Sequence, residues 1–264
     1  NEGSTVSYPQ GHTAKEFFLA KPVQETDALI NLCKMKTHAL ERVTGGVKNL
    51  YGCISGLHKA KGHTQYTNAD IFARQLIDLN QLIAPRFCVM DGIVAMDGNG
   101  PTSGDPVKMN VLLLGNDPVA IDSVYCHLVH LDPQMVPTNV HGETMGLGTW
   151  REENIRLLSE DGEITMQEAV ERFGNPDFNV DRKKQRSNLW NRFNNGFLRY
   201  FQKKPYIVTD KCKKCGVCVE ACPVEGKALQ FKNGRKQPPV YNYHKCIRCF
   251  CCQEMCPHKA IQVK

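Results

Sequence analysis

The chain contains 264 residues, of which 41% are hydrophobic and 23% are charged, and its formal net charge is +6. This length suits one substantial domain together with a second, smaller one. No apolar run approaches the roughly 18 residues of a membrane-spanning helix, so we predict no membrane span.

Residues 1–180 alternate strand-like and helix-like segments, which predicts an α/β domain with a mainly parallel sheet and flanking helices. Apolar residues at helical spacing between Ile71 and Ile83 predict an amphipathic helix that Pro85 closes. Asp117 and Pro118 predict the cap and the first turn of another helix. Buried strands are expected at residues 28–33, 87–90, 111–114 and 155–158, and helices at residues 71–83, 118–128 and 166–173.

Polar residues stand where these strands are expected to end. Ligands of open α/β sheets bind at the carboxyl ends of strands, and the backbone N–H groups of Gly45 and Gly46, helped by a lysine, would suit an anion. Any one of these residues also has a structural explanation as a hydrogen-bonded histidine, a turn or a helix cap. The ligand-binding candidates are Lys36, His38, Lys48, Asn49 and Asp91, within a wider set that includes Lys34, Thr37, residues 97–104, Asn116, Asp117 and Asp122.

No motif in this region specifies a reaction. The sequence contains no P-loop, no dinucleotide-binding glycine fingerprint after a strand and no nucleophile elbow. The catalytic residues are therefore unknown, and the expected ligand of the pocket is defined only as an anion.

Residues 181–204 are rich in basic and aromatic side chains. Leu189, Phe193, Phe197 and Phe201 recur every four residues, which predicts a linker helix with an apolar stripe beside a basic face. The stripe could dock the C-terminal domain onto the large domain, which is its ordinary meaning, or the basic face could meet an acidic redox partner or, peripherally, an anionic membrane surface. Nucleic acid is the third reading, and we expect no such partner because no recognised module is present.

Eight of the thirteen cysteines form two copies of the pattern Cys-x2-Cys-x2-Cys-x3-Cys-Pro. In two-cluster ferredoxins the fourth cysteine of each run binds the other cluster. Pro223 and Pro257 follow the two remote ligands and turn the chain away from each cluster. The pattern therefore assigns Cys212, Cys215, Cys218 and Cys256 to one 4Fe–4S cluster, and Cys246, Cys249, Cys252 and Cys222 to a second.

Two other uses of the cysteines fit less well. Structural zinc sites favour two distant pairs of cysteines, and disulfide frameworks belong to small secreted domains. Cys251 lies outside the pattern and is interpreted as a packed bystander. The remaining Cys33, Cys53, Cys88 and Cys126 are scattered singly in apolar segments. Free thiols and oxygen-sensitive clusters together predict a cytoplasmic protein of anaerobic metabolism.

Residues 205–264 resemble the bacterial-type two-cluster ferredoxins, because each half reads as strand, cluster loop, short helix and strand. Segments 30–38, 46–52, 91–93, 98–101 with Gly104, and 116–122 resemble the family called domain of unknown function 362, over roughly residues 25–175. This resemblance implies an iron–sulfur protein with an α/β domain. Family members usually carry a sizeable lobe before the segment at 34–38, so we expect residues 1–180 to lack an N-terminal lobe.

The expected function is electron transfer, with single electrons relayed through two 4Fe–4S clusters to a site in the α/β domain or to a partner redox enzyme. One alternative is an accessory or maturation factor that binds a cofactor or client protein and supplies electrons for its activation. Another is a reductase with its own site near Lys36, His38 and Lys48. A redox partner protein is expected in each case, and the oligomeric state is unknown.

Overall fold

A four-stranded mixed sheet forms the centre of the large domain in the computed structural model, which describes residues 2–54, 58, 62, 68–183 and 203–263. The linker helix is expected at residues 181–204, and residues 184–202 of that range lie outside the described residues. The described strands of the large domain are β1 (Gly3–Ser7), β2 (Glu16–Ala20), β3 (Ile30–His38), β4 (Arg42–Thr44), β5 (Phe87–Asp97), β6 (Asp105–Gly115), β7 (Leu157–Ser159) and β8 (Gly162–Ile164). The described helices are α1 (Lys21–Glu25), α2 (Gly46–Asn49), α3 (Ala69–Ile83), α4 (Pro118–Leu128), α5 (Pro137–Thr144) and α6 (Met166–Phe173).

The strand order of the main sheet is β4-β3-β5-β6. The α/β class with flanking helices is confirmed, but the sheet is mixed rather than mainly parallel. Only β3 and β5 run parallel, and the connection between them contains α3. The β3–β4 and β5–β6 pairs are antiparallel, because the loops at residues 39–41 and 98–104 are too short to return a strand to the parallel direction.

Helices α3, α4 and α6 lie where the sequence predicts them. Asn68 caps α3 by accepting a hydrogen bond from the Ile71 N–H, and Asp117 caps α4 through the N–H groups of Val119 and Ala120. Thr165 and Glu168 form a reciprocal capping box at the start of α6. The cap residues therefore fix three helix starts from local sequence alone.

Three strands of the main sheet are longer than predicted. The run expected at residues 28–33 continues to His38, and the run expected at 87–90 continues to Asp97. Lys34, Lys36 and Asp91 consequently lie within strands rather than beyond their ends. The segment expected at 155–158 contributes only to the separate β7–β8 hairpin. Polar side chains did not end the strands because one face of this sheet is open to solvent, where alternating polar residues are tolerated.

The two faces of the main sheet differ sharply in burial. On the inner face, Met35 and Met90 are fully buried and pack in one apolar cluster with Tyr125 of α4. On the outer face, Leu32 is 70% exposed and Leu114 is 59% exposed. The outer apolar side chains lie in adjacent register positions, with Ile30 opposite Phe87 and Val89 between Leu32 and Leu114. The strands that were predicted to be buried are therefore buried on one side only.

A second apolar cluster joins the β1–β2 hairpin to α3. It includes the fully buried Phe72, Leu76 and Leu79 of α3, and Phe72 packs edge-to-face against Tyr51 at a ring-centroid distance of 5.1 Å. Val119 of α4 belongs to this cluster, whereas Ile121 of the same helix belongs to the first one. Helix α4 thus connects the two parts of the large-domain core.

The small domain is a pseudo-symmetric repeat. Its described elements are β9 (Pro205–Ile207), α7 (Val217–Glu220) and β10 (Leu229–Gln230) in the first half, and β11 (Val240–Tyr241), α8 (Cys251–Glu254) and β12 (Ile261–Val263) in the second. The antiparallel pairs are β9 with β12 and β10 with β11. Each pair joins one strand of each half, so neither half forms a sheet alone. Along the described parts of the chain, no helix has the length and apolar character needed to cross a membrane.

Candidate metal centres

Two cavities of the small domain are each lined by four cysteines. Cys212, Cys215, Cys218 and Cys256 line the first cavity. Cys222, Cys246, Cys249 and Cys252 line the second cavity. Each cavity therefore combines three cysteines of one run with the last cysteine of the other run, which is the grouping that the sequence pattern assigns.

The same backbone conformation recurs around both cavities. Lys214 and Arg248 both have positive φ, of 57° and 60°, and so do Gly216 at 92° and Phe250 at 60°. Left-handed residues at equivalent positions bend each run around its cavity, and glycine adopts this region without strain whereas phenylalanine does not. The repeat is thus preserved in the backbone even where the side chains differ.

Hydrogen bonds to sulfur follow the repeat as well. The Ala228 N–H donates to Cys222 Sγ and the Ala260 N–H donates to Cys256 Sγ, both at 3.3 Å. These sulfurs are the ones that each run contributes to the other cavity. Hydrogen bonds to the ligating sulfurs are among the features that set the potential of an iron–sulfur cluster.

The two cavities differ in their access to solvent. In the first, Cys215 is exposed and Cys212 and Cys256 are half-buried. In the second, three cysteines are buried, and the Tyr241 hydroxyl lies 3.1 Å from Cys252 Sγ. Burial, and secondly the neighbouring Cys252 thiol, raise the pKa of Tyr241, so its hydroxyl keeps its proton. The first cavity is the more solvent-accessible of the two.

The spacing of the thiols matters for the kind of metal group that fits. Within the described part of the chain, no group of three or more His, Cys, Asp or Glu side chains is close enough to hold a single metal ion. A tetrahedral Zn²⁺ site draws its sulfurs to about 2.3 Å from one point. Four thiols lining one cavity supply the ligand set that a 4Fe–4S cluster takes.

The small domain contacts the large domain through α8. The side chain of Gln253 is fully buried, and its amide nitrogen donates to the carbonyl oxygens of Asn99 at 3.1 Å and Gly100 at 2.9 Å. In return, the Asn99 side chain donates to the Ile261 carbonyl at 3.0 Å. The glycine-rich loop at residues 98–104 is therefore part of the surface on which the small domain packs.

His38 links the end of β3 to the same helix. Its Nδ1 accepts hydrogen bonds from the N–H groups of Leu40 at 3.1 Å and Glu41 at 3.0 Å. Nδ1 is therefore unprotonated, and Nε2 carries the proton that it donates to Glu254 Oε1 at 2.9 Å. The His38 side chain is only 1% exposed, so this candidate residue joins the domains rather than facing a solvent-filled pocket.

The other ligand-binding candidates have separate neighbours. Asp91 is bonded to Lys34 at 2.6 Å, and this hydrogen bond lowers the pKa of Asp91. Asn49 donates to Asn31 Oδ1 at 2.7 Å and to the Leu32 carbonyl at 3.0 Å. Lys36 lies in β3 opposite Thr44 and Met96, and the Lys48 ammonium lies 6.0 Å from the centre of the Phe72 ring. These contacts do not bring the five candidates together, and the anion pocket stays a prediction.

The N–H groups of the glycine loop already have an anionic partner. Asp122 of α4 accepts from Gly46 N at 2.5 Å and from Val47 N at 3.1 Å. Burial raises the pKa of Asp122 to about 7, although both hydrogen bonds act in the opposite direction. A Cβ atom on Gly45 would overlap Asp122 Oδ1, so glycine is required there by close approach. The loop binds a carboxylate of the protein itself.

The interdomain residues Asn99, Thr102, Gln253 and Glu254 were not singled out by the sequence as a group. The Thr102 hydroxyl, for example, donates to the Glu254 carbonyl at 3.2 Å. Asn99 and Thr102 belong to residues 97–104 of the wider candidate set, whereas the only sequence signal of Gln253 and Glu254 is their position in the three-residue gap between Cys252 and Cys256. Gln253 and Glu254 lie on α8, on the side of the small domain that contacts the loop at residues 98–104.

Comparisons with known proteins agree with both domains. Residues 1–127 match the family model described as domain of unknown function (DUF362), and residues 204–257 match the one described as 4Fe-4S dicluster domain. The chain is also similar to thylakoid-associated protein sll1697 of Synechocystis sp.. The two are 34% identical over 196 residues, which cover 73% of this chain and 60% of the relative, so the match spans less than two thirds of that protein. No solved structure matches the chain.

Proposed function

We infer that this chain, which joins a DUF362 domain to a 4Fe-4S dicluster domain, is an iron–sulfur electron-transfer protein that relays single electrons through two clusters. The observation that carries the proposal is the pair of cavities, each lined by four thiols that come crosswise from both runs. A 4Fe–4S cluster supplies one-electron oxidation and reduction when it is bound. Cys212, Cys215, Cys218 and Cys256 would hold one cluster, and Cys222, Cys246, Cys249 and Cys252 the other.

Iron content tests the proposal directly. Protein reconstituted without oxygen, with iron and sulfide, should contain about eight irons per chain and give the spectroscopic signals of reducible cubanes. The Cys251→Ser variant is the matched control, because Cys251 adjoins ligand Cys252 but lines neither cavity. It should retain about eight irons. If the cysteines bound zinc and incorporated no iron, the proposal would be wrong.

Double variants test the crosswise assignment. Cys215→Ser with Cys256→Ser removes two cysteines from one cavity and should leave about four irons. Cys215→Ser with Cys222→Ser removes one cysteine from each cavity and should leave neither cluster intact. If each cluster instead used the four cysteines of a single run, the iron contents of the two double variants would be reversed.

Contacts between the domains support delivery of electrons to the α/β domain. Helix α8 carries Cys252 of the second cavity, and Glu254 on the same helix is bonded to His38 of β3. A cofactor or client held by the large domain near His38 would therefore lie beside the relay. This geometry also suits the alternative of an accessory factor that activates a client, and a stable stoichiometric complex with one client would distinguish that role.

A reductase with its own site near Lys36, His38 and Lys48 is the less supported alternative, because His38 is buried and the three residues make separate contacts. If alanine at Lys36 and at Lys48 left ligand binding and turnover unchanged, this site would be abandoned. The predicted cytoplasmic location remains a prediction. The name of the Synechocystis relative associates that protein with thylakoids, so cell fractionation is the measurement that applies to this chain.

A further inference from the structure

An open groove lies on the small domain, beside the second cavity. Its volume is about 610 Å³, and it is lined by residues of β10, β11 and the loop that leads to Cys246. We call it the tyrosine groove, because Tyr241 and Tyr243 form part of its wall with their rings stacked at a centroid distance of 5.4 Å and an interplanar angle of 13°. The groove is separate from the contact with the large domain, which α8 makes through Gln253 and Glu254.

The charge of the tyrosine groove is positive. Lys204, Lys227, Lys232, Lys245 and Arg248 line it, and none of the described lining residues is acidic. Lys204 lies over the Tyr243 ring, with 5.3 Å between its ammonium and the ring centre. Lysines gathered in a concave surface attract anionic groups from a distance and raise association rates.

The groove also lies close to the cysteines of the second cavity. Tyr241 lines both the groove and that cavity, and its hydroxyl is 3.1 Å from Cys252 Sγ. Lys227 donates to the Cys222 carbonyl at 2.6 Å, which fixes one positive charge next to a second cysteine. A molecule in the groove would thus be separated from a cluster in this cavity by a single side chain.

We propose that the tyrosine groove is the docking surface for an acidic electron-transfer protein, a partner that presents carboxylates around its own redox group. The proposal rests on the proposed function, since it assigns the surface at which the relay meets its partner. Tyrosine and arginine are enriched at the centres of protein interfaces, and Val240, which is 45% exposed, adds apolar surface beside them. A protein partner suits this combination better than a small anion, because the groove is wide and open.

Charge reversal on the complete chain with its clusters tests the proposal. The groove variant is Lys232→Glu with Lys245→Glu, and the matched control is Lys108→Glu with Lys236→Glu. All four lysines are exposed, and Lys108 and Lys236 line neither the groove nor either cysteine cavity. The probes are a purified acidic flavodoxin and a purified acidic plant-type ferredoxin, and the readouts are calorimetric affinity and the rate of reduction by each reduced probe.

The groove variant should bind both probes about tenfold or more weakly at low salt and be reduced correspondingly more slowly, while the control variant stays within about twofold of the parent chain. Added salt should weaken parent binding and reduce the difference between the variants. Three results would overturn the proposal: an equal or larger loss in the control variant, no binding of either probe by the parent chain, or groove-dependent binding of ATP or single-stranded RNA in place of both probes. Iron content, measured on the same samples, separates failure of the groove from failure of the clusters.

Discussion

The cores of the two domains contain different kinds of side chain. The large domain packs Met35, Met90, Tyr125 and many other apolar side chains into continuous clusters around its sheet and helices. The small domain has two minor clusters, one of Cys218, Leu229, Cys252 and Ile261 and one of Cys222, Ala228 and Cys246. Cysteines make up half or more of the buried members in each. The large domain is therefore stabilised by apolar burial, whereas the small domain depends on whatever its thiols bind.

Removal of iron should produce the largest difference between the domains. Because the free energy of metal binding is folding free energy in small metal-dependent domains, chelation should unfold residues 205–263 and leave the large domain folded. Amide hydrogen exchange measures this as loss of protection in β9 and β12 with retained protection in α3. Loss of protection in both regions together, or in neither, would show that the two cores are not independent in this way.

Truncation of a side chain in the large-domain core should destabilise the large domain and leave the iron of the small domain in place. Phe72 is fully buried and contacts Tyr51 edge-to-face, so Phe72→Ala should lower the free energy of unfolding of the large domain by about 3–5 kcal/mol. The iron content should stay that of the parent chain. Urea unfolding monitored by far-ultraviolet circular dichroism, together with an iron assay, checks both halves of this prediction. A variant that lost its iron at full helical content would contradict it.

Gln253→Ala should weaken the junction rather than either core. The substitution leaves the carbonyls of Asn99 and Gly100 without a buried donor, which costs about 1–3 kcal/mol. Protease cleavage within the loop at residues 98–104 should become faster while both domains keep their own stability. The matched control is Gln230→Ala, since the exposed Gln230 donates to the Gly226 carbonyl inside the small domain. Equal cleavage of the two variants would argue against a specific junction.

Glu41 should make the stability of the large domain depend on pH. It is fully buried, and neither carboxylate oxygen has a hydrogen-bond partner among the described residues. Burial raises its pKa from 4.5 to about 8, with Lys48 acting against this shift and Asp70 adding to it. The folded state then binds more protons than the unfolded state between these pKa values, so the stability of the large domain should fall as pH rises through that window.

The Glu41→Gln variant tests this assignment, because an amide removes the ionisation while keeping the shape of the side chain. Denaturant unfolding of the large domain should show a shallower decline between pH 4.5 and 8 than in the parent chain. Asp122, whose pKa is raised to about 7, contributes in the same direction, so part of the slope should remain. An unchanged slope would assign the dependence to Asp122 or another group.

Local signals in the sequence were sufficient for some features and not for others. The Asp117 cap acts within one helical turn, and the spacing of three cysteines in each run expresses a local wrapping of the chain, so both could be predicted from the sequence. The lengths of β3 and β5 could not, because they depend on which face of the sheet the rest of the fold covers. The continuous apolar run around Leu32 is typical of a strand buried on both faces, yet Leu32 is 70% exposed.

The predicted anion site shows a second limit of what the sequence can predict. A glycine loop with free N–H groups and one whose N–H groups are held by the protein look identical in the sequence. Asp122 lies far along the chain from Gly46, and only the packing of α4 against the loop brings its carboxylate there. The contact of His38 could not be predicted from local sequence either, because its partner Glu254 belongs to the other domain.

The exchange of cysteines between the two repeats has a consequence for biosynthesis. As the chain leaves the ribosome, Cys212, Cys215 and Cys218 emerge first, but their cavity is completed only by Cys256, the last cysteine of the second run. A nascent or prematurely terminated chain that ends before this point would present three thiols without their fourth. Assembly of the first centre therefore has to wait until the second cysteine run has been synthesised.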